Sequence, residues 1–179
     1  MEGTVQQINL ADISWIQYHL RRGVHGLASG RFTGAVSQHD HTLSLEADIR
    51  VESGRVGLKL PILNHSELPF SLATFTVQGR GKTIHLDKGM VESDLLDGRF
   101  SGTIRLNPDP MFSQIDFQGD MQPKKKFFKA VSNTLAYEAF RLQLKENALP
   151  FKITGTLMEP GIHYGEYAIL FQKLEKELH

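Results

Sequence analysis

The sequence predicts a mainly β fold with flanking helices: a curved antiparallel sheet or half-barrel, with one helix at about 123–147 packing on or plugging its apolar face. Three observations predict it. The middle of the chain alternates apolar and polar residues with period two, short turn-forming segments separate the alternating runs, and one glycine-rich strand motif occurs twice. With 179 residues the chain fits a single domain, 1–179, long enough to bury a core.

In chain order, a helix started by Asp12 or Ser14 is expected over about 10–22, with Ile13, Ile16, Tyr18 and Leu20 supplying apolar area. A β-meander over 27–121 follows. Its first strand holds Gly30-Arg31-Phe32-Thr33-Gly34-Ala35-Val36, in which Phe32, Gly34 and Val36 share a face. From Leu43 to Val51 the odd positions are apolar, while Ser44, Glu46, Asp48 and Arg50 lie between them. Further strands read as Arg55–Leu60, Pro69–Gln78, Thr83–Asp87, Ser113–Met121 and Phe151–Leu157. Turns are expected at Ser53-Gly54, Gly79-Arg80-Gly81, Asp97-Gly98 and Asn107-Pro108-Asp109-Pro110. Connections this short imply antiparallel neighbours rather than βαβ units. Pro123 suits a first helical position, and Phe128, Val131, Leu135, Ala139 and Leu142 recur at helical spacing behind it. Residues 150–179 are read as terminal strands with a third helix over Glu166–Leu178, though Ile162–Phe171 also suits a strand.

The repeated motif returns as Gly98-Arg99-Phe100-Ser101-Gly102-Thr103-Ile104. A second echo pairs Leu68-Pro69-Phe70-Ser71-Leu72 with Leu149-Pro150-Phe151-Lys152-Ile153. Glycine inside a strand marks close backbone approach, a bulge or a bend. The repeats are therefore expected to be architectural. Phe32 and Phe100 should share a face, and Val at Gly34 or Gly102 should destabilise by blocking a close approach. The apolar face is expected to be covered by the sheet folding over itself and by the helix, leaving at most a narrow groove at one end.

Composition narrows function. Twenty basic and twenty acidic residues balance, so no global field draws the chain to nucleic acid or an anionic membrane. The absence of cysteine excludes disulfides, zinc thiolates and thiol catalysis. No apolar run reaches the roughly 18 residues of a membrane span, and no signal-peptide pattern opens the chain, which predicts a soluble protein.

Candidate chemistry is sparse. Gly81-Lys82-Thr83 has the tail of a phosphate-binding loop, but Thr76 stands where the motif needs glycine and a strand pattern follows, so a hairpin turn is the reading. His39-Asp40-His41 supplies two imidazoles of the three or more ligands that zinc needs, between two strands where an exposed turn is expected. His85 and Asp87 share a face but lack a serine in a nucleophile setting. Glu92, Asp94 and Asp97 read as a solvated loop. The run Lys124, Lys125, Lys126, Phe127, Phe128, Lys129 is the unusual feature, because cations oppose the dipole at a helix start. Lys124, Lys125, Lys126, Phe127 and Lys129 are the candidate contact for anionic lipid or an acidic partner, with Phe127 as anchor and Phe128 turned inward. No catalytic, metal or cofactor site is assigned, and no enzyme is expected.

The order of Leu27–Gly34, Leu68-Pro69-Phe70, Leu95–Leu106, the lysine-rich helix and Leu149–Pro160 resembles the C-terminal periplasmic region of type II secretion system protein N, itself similar to AsmA-like proteins. The resemblance covers about residues 10 to 165. It implies an AsmA-like curved sheet and a non-enzymatic scaffold or assembly component of the type II secretion system. That component would sit at the periplasmic face of the inner membrane of a Gram-negative envelope, with other secretion-system proteins as partners. The alternative it implies is an AsmA-like lipid-binding or lipid-transfer module. The family's transmembrane anchor is missing here, which suggests a soluble fragment beginning at an artificial Met1.

Overall fold

A computed structural model describes residues 1–14, 23–37, 42–60, 65–130, 148–169 and 172. Among these residues, nine antiparallel strands form one open sheet in strict chain order. They are β1 (Glu2–Asn9), β2 (Val24–Val36), β3 (Leu43–Leu60), β4 (His65–Arg80), β5 (Thr83–Glu92), β6 (Leu96–Arg105), β7 (Gln114–Pro123), β8 (Leu149–Thr156) and β9 (Pro160–His163). A short helix, Lys125–Ala130, follows β7. The curved antiparallel sheet predicted from alternation is what the chain builds.

Because directly paired residues point to the same face, the registers trace rows across the sheet. One row runs Val5, Gly30, Ile49, Phe75, Gly89, Phe100, Gly119, Phe151. The next runs Gly3, Phe32, Ala47, Val77, Leu86, Gly102, Phe117, Ile153, Ile162. Phenylalanine repeatedly lies opposite glycine in these rows, and the small residue makes room for the ring. Phe75 and Phe100 stand two strands apart, about 9.6 Å in a flat sheet, yet their ring centroids are 6.2 Å apart. Phe100 and Phe151 likewise meet at 6.4 Å. The rings lean together over Gly89 and Gly119, so this face is concave. The opposite face carries polar rows such as Arg31, Asp48, Thr76 and Lys88.

Phe32 and Phe100 share the concave face, as expected, but sit one row apart. The glycine expectation is half right. A Cβ on Gly102, whose φ is +158°, would collide with the backbone oxygen of Asp116, whereas one on Gly34 would meet nothing closer than 3.8 Å. In the first copy the close approach falls at Gly30, where an added Cβ would lie 2.6 Å from Asp48 O. The one-row offset moves the crowded position from the last glycine of the motif to the first. The echoes fall four strands apart, with the Gly-Arg-Phe motif on β2 and β6 and the Leu-Pro-Phe segment on β4 and β8.

Several expectations are corrected. Ser53-Gly54 is not a turn: β3 runs through it, and an extra β3 residue is accommodated opposite His25–Leu27 as a bulge, with Ser53 at φ +50°. Asp97-Gly98 lies inside β6, and the chain reverses earlier, at Ser93–Leu95. Ser93 makes that reversal. Its buried hydroxyl accepts the N–H groups of Leu95 and Leu96 at 3.1 and 3.0 Å and donates to Leu96 O at 2.8 Å. Pro123 ends β7 instead of opening the helix, which starts at Lys125, and residues 131–147 of the expected helix lie outside the described residues. β1 has no counterpart in the expectations because its extra residue, with Gln7 at φ +52°, breaks the alternation. Of the helix expected over about 10–22, Leu10–Asp12 form a 3-10 turn instead, Ile13 is extended and Ser14 is helical, while 15–22 and most of the expected C-terminal helix lie outside the described residues. Gly79 and Arg80, expected in a turn, are the last residues of β4, and the hairpin turn is Gly81-Lys82; the turn at 107–110 is as expected, capped by Asp109 Oδ1 accepting from Met111 N at 3.1 Å.

Candidate functional site

Curvature turns the inner rows into a trough. At one end Leu68 of β4, Leu96 of β6, Leu149 of β8 and Tyr164 join Phe127 in a buried cluster. In a flat sheet β4 and β8 would lie about 19 Å apart, so a shared cluster requires the sheet to curl. Next to this cluster lies a cavity of about 380 Å³, walled by side chains from β2 through β9, among them Val51, Phe70, Ala73, Phe75, Phe100 and Ile153. No polar atom contributes to its surface. Further along the same face, Leu45 and Ile49 each remain 37% exposed among the described residues. The trough is thus filled by protein at one end and open along part of its apolar floor.

The helix Lys125–Ala130 closes the filled end. Phe127 is only 3% exposed and stands edge-on to Phe128, with ring centroids 5.8 Å apart. This corrects the expectation that Phe127 points outward as an anchor while Phe128 faces inward. Both rings pack on the cluster, and Phe127 is the deeper. The lysines are also placed differently from a free basic patch. Lys124 Nζ lies 2.6 Å from Asp97 Oδ1, an oxygen shielded from water, and donates to Ser93 O at 2.7 Å. Its backbone N–H donates to Leu95 O at 2.8 Å. Lys126 bonds Asp94, and that hydrogen bond and charge hold the exposed Asp94 carboxyl below the ordinary range. Lys125 and Lys129 are exposed. The acidic loop and the lysine run, read separately in sequence, are two halves of one contact. Cations tolerate this helix start because Asp94 of the β5–β6 turn and Asp97 at the start of β6 face them.

The remaining candidates stay apart from the trough. His85 lies on the polar face opposite Gln78 and Thr103. Asp87 occupies the β5 bulge, which removes it from regular alternation, and no hydrogen bond joins the two. Lys82 is in the hairpin turn and Thr83 opens β5. His39, Asp40 and His41 lie outside the described residues, and among those described no group of three His, Asp or Glu could hold a metal. Sequence reasoning missed Ser93 and Tyr164. Ser93 had a local signal, a hydroxyl before a Leu-Leu step, whereas Tyr164 becomes important only through curvature. Its burial pushes the phenol pKa up to about 12.

Comparisons with protein-family models, with curated proteins and with solved structures found no match.

Proposed function

We propose that this domain is a non-enzymatic lipid-binding module of the AsmA-like kind, which houses a hydrocarbon chain in its trough. The carrying observation is the cavity of about 380 Å³ whose surface has no polar atom. Water needs two to four polar partners to occupy a buried site, and such a cavity offers none. A saturated or lightly unsaturated chain matches it, because dispersion contacts with the Phe75, Phe100 and Phe151 rings replace those lost to the void. The partly exposed floor at Leu45 and Ile49 gives such a chain a path along the sheet. In this reading the site is a Gram-negative envelope and the lipid is a phospholipid or its acyl portion.

A second reading keeps the domain as a periplasmic scaffold of the type II secretion system, at the inner membrane face with other secretion-system proteins as partners. The self-filled end of the trough, with Leu68, Leu96, Leu149 and Tyr164, supports it, as does the sequence resemblance. Native mass spectrometry of the protein purified from a bacterial envelope separates the readings. Stoichiometric phospholipid or fatty acid that disappears in Ala73→Phe, a substitution that fills the cavity, supports the lipid module. A ligand-free wild-type protein that instead captures secretion-system subunits favours the scaffold.

A further inference from the structure

The helix Lys125–Ala130 ends the trough with Phe127, backed by Phe128, and the residues at its start are tied to the β5–β6 region by charge as well as by the Lys124 N–H bond to Leu95 O. Two ion pairs tie its start to this region, Lys124 just before the helix with Asp97 at the start of β6, and Lys126 with Asp94 in the β5–β6 turn. The Lys126–Asp94 pair is largely exposed, the regime in which ion pairs are weak and screened by salt, whereas in the Lys124–Asp97 pair the side chains are partly exposed but the contacting Asp97 oxygen is shielded. A buried ring is thus carried by a helix whose start is held partly by an exposed, salt-sensitive ion pair. Opening would present Phe127, Phe128 and four lysines together, the combination that enters an anionic lipid interface. In the closed state Lys124 and Lys126 are engaged with Asp97 and Asp94 while Phe127 is hidden.

We infer that this helix is a charge-latched plug of the trough, held shut by Asp94 and Asp97 and opened when an anionic lipid surface competes for Lys124 and Lys126. The inference rests on the trough being a hydrocarbon site, and it adds where and under what conditions that site is loaded. An anionic membrane offers the lysines replacement partners, whereas a zwitterionic one does not. The exchange happens at the surface from which the hydrocarbon would come. The Ser93 hydroxyl keeps the β5–β6 turn folded in both states, so only the helix side moves.

Hydrogen exchange on the full chain tests this directly. The Phe127 N–H donates to Lys124 O at 2.9 Å and the Phe128 N–H to the same oxygen at 3.3 Å, so exchange at these two amides reports the plug. Amides of β6 and β7 around Phe100 report the sheet. Phosphatidylglycerol vesicles should accelerate exchange at 127–128 by about tenfold without changing the sheet, and phosphatidylcholine vesicles should not. The Asp94→Asn/Asp97→Asn variant should show the same acceleration with no vesicles present. Unchanged exchange in both experiments, or equal acceleration by both vesicle types, overturns the plug. Uptake of the neutral fluorophore N-phenyl-1-naphthylamine is followed in parallel. Uptake with no change in exchange removes the latch and keeps the trough, whereas faster exchange with no uptake in any state keeps the latch and removes the hydrocarbon site.

Discussion

Gly102 carries more of the architecture than its identical-looking counterpart. Its φ of +158° and the Asp116 backbone oxygen beside it leave no room for a side chain, whereas Gly34 has ordinary van der Waals space around an added Cβ. Gly102→Ala is expected to cost about 1–3 kcal/mol, since backbone has to shift, while Gly34→Ala is expected to be neutral or to stabilise by up to about 1 kcal/mol through the unfolded chain. Urea unfolding of the two variants measures the difference. Tyr164 gives a prediction in pH. Its folded pKa of about 12 lies above the value of about 10 in an unfolded chain, so its contribution is fully present below pH 10 and is lost as pH rises toward 12. The difference corresponds to roughly 3 kcal/mol. Tyr164→Phe should flatten that alkaline loss, as read from melting temperatures between pH 9 and 12.

Strand by strand, the Phe–Gly rows are what the repeated motif encodes. Phe100 faces glycine on both sides, Gly89 and Gly119, and its ring meets Phe75, Phe117 and Phe151. Phe32 faces Gly3 on an edge strand and Ala47 on the other side. Phe100→Ala is therefore expected to cost about 3–4 kcal/mol and Phe32→Ala less than half of that. A double-mutant cycle between Phe75 and Phe100 should return a coupling of about 0.5–1.5 kcal/mol, measured by denaturant unfolding. The alternation that defines these strands was legible because each has one dry face. The interruptions were not. A serine or glutamine at positive φ, as at Ser53 and Gln7, carries no compositional mark, so a bulge inside β3 reads as a turn and a bulged β1 reads as nothing. The phase of the short helix was illegible for a related reason. Adjacent rings at 127 and 128 differ by only 100° around a helix, and their order of burial is decided by where the β5–β6 turn anchors Lys124.

Taken whole, the molecule is a curled sheet with two guarded edges. β1 is bulged, and β9 is four residues long and begins with Pro160, both of which discourage pairing with another sheet. Hydrocarbon entering the trough should therefore act on stability without changing oligomeric state. A ligand present at 100 times its dissociation constant should add about 2.7 kcal/mol, seen as a rise in melting temperature that Ala73→Phe abolishes. The candidate site was half legible for a reason of scale. The lysine run and the acidic loop are each local in sequence, but the contact between them spans about thirty positions, and the cavity draws on side chains from eight strands. Such a wall exists only once curvature has gathered it.

The chain-order arrangement of the strands has a consequence for how this protein is made and varied. Each strand completes its pairing with the one synthesised just before it, so the sheet can zip up in the direction of synthesis without waiting for a distant partner, a low-contact-order route that limits exposed edges at every stage. The same property makes the molecule extensible. The four-strand spacing of the Gly-Arg-Phe and Leu-Pro-Phe segments is the pattern that lengthening by a four-strand unit would leave. The helix sits where the second unit departs from the first, in the β7–β8 connection, in place of the β3–β4 crossing. Such a unit leaves that connection free to carry a terminating wedge.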